Sequence, residues 1–132
     1  MRELSESDVK KLWNVIDELI NASEDSIVVV EGSSDRDALR EIGVCGEIAM
    51  ASTMPDAYLV DLVGGREVII MTDWDSEGKI MERKLSKKLT SLGIRVNLEY
   101  RRRIFEIVGR HITAVENLSR FIEALNDRRI KR

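Results

Sequence analysis

Two short runs of apolar, largely β-branched residues set the limits on what this chain can fold into. They are Ser26-Ile27-Val28-Val29-Val30 and Glu67-Val68-Ile69-Ile70-Met71-Thr72, and neither alternates apolar with polar. A strand with one wet face alternates; a uniform run needs cover on both faces, as in a parallel sheet sandwiched by helices. Each run ends in acid, Glu31-Gly32 after the first and Asp73-Trp74-Asp75 after the second. At 132 residues the chain is about one domain's worth and long enough to bury a core without staples.

Helical patterns separate the runs. Val9, Leu12, Trp13, Ile16, Leu19 and Ile20 recur at spacings of three and four, which predicts a helix over 5–22 with Trp13 in the core. After Gly32 a second helix runs to about Ile42, with Ser34 and Asp37 as a capping box. Glu47 to Ala51 reads as a weak strand, and Pro55 opens a short helix through Leu62. A long helix follows over 76–92, with Ile80, Met81, Leu85, Leu89 and Leu92 inward. Ile94 to Leu98 is a fourth strand, 100–108 is helical, and Thr113 with Glu116 caps a last helix. The class is therefore α/β, a mostly parallel sheet of about four strands flanked by helices. The N-terminal helix, within 1–25, is expected to pack on a domain of residues 26–126, and the basic tail 127–132 to fray.

The sparse residue types exclude several chemistries. One cysteine, Cys45, rules out a disulfide framework and a cysteine-rich zinc module, and fits a cytoplasmic compartment as a small buried hydrophobe. One histidine, His111, argues against a serine–histidine–aspartate triad and suits a structural or surface role. No apolar leader and no membrane-length apolar run occurs, so no membrane partner is expected.

Charge is segregated. Residues 1–78 carry 6 Lys/Arg against 18 Asp/Glu, and residues 79–132 carry 15 against 6, leaving -3 overall. An acidic site beside a basic surface suits a metal-dependent enzyme acting on a polyanion. In open α/β sheets such sites lie at the carboxyl ends of strands. Asp73 and Asp75, two apart, project to one side of extended backbone, where their hard oxygens suit Mg²⁺, with Mn²⁺ as a substitute. Trp74 points the other way, into packing beneath the site. A helix cap needs only one acid, so capping leaves Glu31 and Asp73 unexplained.

Val28-Val29-Val30-Glu31-Gly32 with Asp35, and Ile69-Ile70-Met71-Thr72-Asp73-Trp74-Asp75-Ser76-Glu77-Gly78, together resemble the two motifs of the Toprim domain. Bacterial primases, topoisomerases and 5S ribosomal RNA maturation nucleases share this domain. The resemblance covers roughly residues 26–118 and is strongest to small stand-alone archaeal Toprim proteins related to the maturation nucleases. Ala114-Val115-Glu116-Asn117-Leu118 resembles a late segment of that group. The resemblance implies that Glu31 moves a proton in phosphoryl transfer and joins Asp73 and Asp75 around Mg²⁺. Asp35, four residues past Glu31, either serves in the first turn of its helix, the reading favoured here, or joins the site, and Glu116 is a further candidate.

Departures narrow the choice. Ser76 stands where topoisomerases carry arginine, and at this size a complete topoisomerase or primase is not expected. A nuclease needs only this domain and a substrate surface. Lys79 and Arg83 follow the acidic turn, and Arg101-Arg102-Arg103 follow the fourth strand; all five are candidates for phosphate contact. The expected function is Mg²⁺-dependent phosphodiester chemistry on nucleic acid, RNA favoured over DNA, most plausibly endonucleolytic. The alternative is a non-catalytic metal- and nucleic-acid-binding module of a larger assembly.

Overall fold

The two uniform runs lie side by side in the middle of one sheet. The computed structural model describes residues 4–130, with side chains through 126. Strand β1 is Ile27–Val30, β2 is Glu47–Met50, β3 is Val68–Ile70 and β4 is Val96–Asn97. Their order is β2-β1-β3-β4, and every pair is parallel. Val28 sits opposite both Ile48 and Ile69, and Val68 opposite Val96.

Side chains leave a strand alternately to its two faces, so the uniform runs supply two cores. Val28, Val30, Ile69 and Met71 face one layer, where they meet Leu12, Leu39, Ile104 and Leu118. These come from α1 (Glu6–Ser23), α2 (Ser33–Ile42), α5 (Glu99–Val108) and α6 (Leu118–Ile130). Ile27, Val29, Val68 and Ile70 face the other, against Leu59, Val63 and Leu89. Those belong to α3 (Asp56–Val63) and α4 (Ser76–Ser91). All of β1 and β3 is fully buried, which is why neither strand alternates.

Several local expectations need correction. Helix α2 starts a residue earlier than its proposed cap. Gly32 is the N-cap and donates its N–H to Asp35 Oδ2 at 3.1 Å, while Asp37 pairs with Arg36. The Thr113–Glu116 box does not form either: Ala114 caps a 3-10 turn, Val115–Asn117, that leads into α6. Ile80 and Leu92 are each 51% exposed. Ile80 lies nine residues from the buried Leu89, half a rotation away on a helix, and Leu92 is the C-cap beyond the last turn. Cys45 is exposed, because its neighbour Val44 takes the inward position. Trp13 is half-buried against the core, with its indole N–H buried and unpartnered among the described residues. The helical backbone of α6 runs to Ile130; the side chains of the basic tail 127–132 lie outside the described residues.

The return from α2 into β2 passes directly over the end of α1. A Cβ on Gly46 would stand 1.7 Å from the Ser23 carbonyl oxygen, a distance no relaxation of a side chain relieves. Gly46→Ala should therefore destabilise the protein by about 1–3 kcal/mol, the usual range for overpacking. Urea unfolding measures this directly, and an unchanged midpoint would refute the close approach.

Candidate metal and phosphate site

The strand order places the acids. After β1 the chain crosses to β2 on one side, and β3 then pairs with β1 on the other. The carboxyl ends of β1 and β3 are therefore neighbours at the point where the winding reverses, the usual seat of ligands in open α/β sheets. Met71 N–H donates to Val29 O at 2.8 Å, continuing the pairing past the strand end. Glu31 leaves β1 and Asp73 leaves β3 at this edge.

Asp73-Trp74-Asp75 is not extended strand but an irregular loop, so the expected alternation of side chains does not fix it. Hydrogen bonds do. Asp73 Oδ1 accepts from Val115 N–H at 2.8 Å, and Asp75 Oδ1 accepts from Gly78 N–H at 2.7 Å, making Asp75 the N-cap of α4. Trp74 is 2% exposed, as its packing role requires, and its indole donates to Arg101 O at 3.1 Å. Its own backbone N–H donates to Thr113 O. Gly78 closes the turn so tightly that a Cβ there would meet Asp73 O at 2.1 Å.

Arg101 separates from its two neighbours. Its buried guanidinium donates from Nε to Thr72 O and Oγ1 at 3.0 and 3.1 Å, and from Nη2 to Asp73 O at 2.6 Å. Burial lowers its pKa, and Glu82, Asp73 and Asp75 oppose that shift. Arg102 pairs with Glu106, and Arg103 with Glu18 on α1. The triplet is thus not one basic surface, because a helix rotates successive residues apart. Arg101 braces the acidic loop from within, a role that its place in a run of arginines concealed. Lys79 and Arg83 are exposed on α4, with the Lys79 ammonium 5.5 Å from the centre of the Phe105 ring.

The electrostatics mark this edge as a place of surplus negative charge. Burial pushes the Asp73 carboxyl up to about 6; Asp35, Glu31 and Asp75 push the same way, against the Val115 N–H. Glu31 is raised first by burial, then by Asp35, Asp75 and Glu77. Asp35, 7% exposed, is raised by burial and by Glu116, against the Gly32 N–H. Asp35 thus both caps α2 and lies within electrostatic reach of the cluster; Glu116 is exposed at its rim. His111 stands apart, its ring against Phe121.

Among the described residues no three Asp, Glu, His or Cys side chains converge as a closed metal cage. Mg²⁺ does not require a cage: it keeps several waters and takes one or two carboxylates plus substrate phosphate. The donors fit that demand. Among the described residues only Oδ1 of Asp73 and of Asp75 accepts a hydrogen bond, leaving Oδ2 of each for a cation. The carboxylates crowd one another, a cost that a cation would remove.

Two outcomes follow. A carboxyl raised by the fold takes up a proton on folding between its unfolded and folded pKa values, so its ionisation destabilises the metal-free fold as pH rises. Asp73→Asn keeps an acceptor for Val115 N–H. Its melting temperature without metal should exceed that of the unaltered protein above pH 6, and the gap should close as pH falls to about 4. A gap independent of pH would contradict the assignment. Arg101→Lys offers one ammonium for a fork of acceptors. It should cost about 1–3 kcal/mol in urea unfolding, the range for a buried acceptor left unpaired.

Comparison with known proteins places this geometry. A family model described as the Toprim domain matches residues 25–98. A UPF0292 protein of Archaeoglobus fulgidus is 39% identical over 120 residues, covering 90% of this chain and 95% of its own. A UPF0292 protein of Methanocaldococcus jannaschii is 32% identical over 116 residues, covering 86% and 91%. A solved structure described as a putative protein from Aquifex aeolicus superposes with a TM-score of 0.70 at 28% identity, over 80% of this chain and 96% of that one. Among the described residues no helix is long and apolar enough to cross a membrane. With acids at the ends of β1 and β3 and a glycine-closed turn after the second, the chain belongs to the Toprim domain family, alongside the archaeal UPF0292 proteins.

Proposed function

We propose that this protein carries out Mg²⁺-dependent phosphodiester chemistry on nucleic acid in the cytoplasm, with RNA cleavage the favoured reaction. The observation that carries this reading is the gathering of acids at the switch point, where burial and neighbouring carboxylates hold back the ionisation of Glu31, Asp35 and Asp73, with Asp75 among the charges acting on Glu31 and Asp73. Asp73 and Asp75 would hold the cation through their second oxygens. Bound there, Mg²⁺ supplies charge stabilisation at phosphate oxygens. Glu31, whose carboxyl burial raises from its ordinary value, suits proton transfer to or from the attacking or leaving oxygen. Arg101 and the Val115 N–H hold the loop in place, and Lys79 and Arg83 face the solvent from which a polyanion arrives. The kinship to 5S ribosomal RNA maturation nucleases, suggested by the motifs, directs the choice of RNA first.

The second reading is a module that binds metal and nucleic acid without turnover, in which the same acids keep a cation that recruits rather than reacts. Labelled structured RNA and DNA, incubated with Mg²⁺, Mn²⁺ or EDTA, separate the two. Metal-dependent cleavage that falls about 10²-fold or more in Glu31→Gln, with binding retained, is the expected result. Binding without cleavage under every metal would favour the module, and equal loss of binding and turnover in Glu31→Gln would assign that residue to folding or metal ligation.

A further inference from the structure

The loop that carries Asp73 and Asp75 has a second side. Trp74, between the two acids, also lines a cleft of about 530 Å³ that opens between α4 and α5. That size lies within the range of small-ligand sites. Leu98 and the half-buried Phe105 contribute apolar wall, while Lys79 and Arg102 bring positive charge and Glu82 and Glu99 negative charge to its rim.

Phe105 is held as a platform. Trp74 stands 6.4 Å away at a 36° tilt. Behind Phe105, Gly109 approaches so closely that a Cβ would lie 3.1 Å from the ring and 2.6 Å from the Phe105 carbonyl oxygen. The Lys79 ammonium lies over the ring. A groove built for phosphate alone needs no fixed aromatic ring, and one built for an apolar partner has no use for cations. An aromatic ring beside Lys79 and Arg102, whose exposed ion pair with Glu106 a phosphate can displace, is the combination that takes a base on its face and the backbone on its cations. Stacking of a base outweighs a partly exposed contact between ammonium and ring, so Lys79 can yield its place and turn to the phosphate.

We propose that the α4–α5 cleft seats one unpaired nucleobase, stacked on Phe105, of the strand whose phosphate meets the acidic loop. The inference rests on the nucleic-acid reading above and narrows it: the substrate is single-stranded, or splayed open, beside the reacting phosphate. A base inside a duplex cannot reach the ring.

The test uses the full chain in the Glu31→Gln background, with a single-stranded ribo-oligonucleotide, the same strand bearing abasic sites, and a fully paired RNA stem. Phe105→Leu keeps apolar volume but removes the ring, and Phe105→Tyr restores it. Phe105→Leu should weaken single-strand binding by about tenfold or more, Phe105→Tyr should bind nearly as tightly as Phe105, and stem binding and Mg²⁺ affinity should hold. With Phe105 present, the abasic strand should bind as weakly as the intact strand binds Phe105→Leu, an arm that does not depend on any substitution in the ring. Equal binding of intact and abasic strands, or equal loss on strand and stem in Phe105→Leu, would overturn the cleft assignment and leave the nucleic-acid reading standing. If neither strand nor stem binds at all, both readings fall together.

Discussion

The pairing of β1 with β3 is the constraint on which the rest of this molecule depends. Both strands are buried on both faces, and their partnership is parallel. It divides the chain's apolar content between two cores and brings the ends of two distant segments together. Carboxylates that would be ordinary surface groups on separate loops become neighbours. Their crowding is therefore a product of topology: Glu31 and Asp73 are far apart in sequence, and Asp73 still responds to Glu31 and Asp35. A fold built for stability alone has no reason to collect like charges where each hinders ionisation of the next. Their retention is an inference about function with a stated electrostatic cost.

The acidic loop is braced by parts that come later in the chain. Arg101 grips the carbonyls of Thr72 and Asp73, Trp74 returns a hydrogen bond to the Arg101 carbonyl, and Val115 N–H holds Asp73 Oδ1. These bonds leave the carboxylates an oxygen each while spending the backbone's own groups inside the protein. A buried cation near the carboxylates also offsets part of their repulsion, a second service from one side chain.

Much of this was legible in the sequence. Unalternated runs and their terminal acids are local signals, and they marked the buried strands and the acids that follow them. Helical spacing located α1 and α4 to within a residue or so. The signals that failed were those whose meaning depends on partners far along the chain. Arg101, Arg102 and Arg103 look alike in sequence, yet only the first points inward, because helix rotation and the position of Thr72 distinguish them. The Ser34–Asp37 box lost to a local rival, since Asp35 takes the N–H of Gly32 three residues back, whereas at Thr113 the carbonyl accepts the distant Trp74 N–H and the cap falls to Ala114. Ile80 matched the apolar period by type but stands opposite the buried edge of α4. Gly78 stood in the second motif, but its need to clear Asp73 O was not readable there.

The bracing by Arg101 and Val115 also has a bearing on synthesis. A ribosome releases the acidic part of this chain first, and the groups that hold Asp73 in place leave it later. Contacts between residues so far apart cannot form until the intervening chain is free to close on itself. The nascent protein can begin to shape its central strands while the loop between β3 and α4 still lacks its fixings. The chemistry at this edge thus arrives with the last third of the chain, and a polypeptide cut short before α5 would carry the acids without their braces.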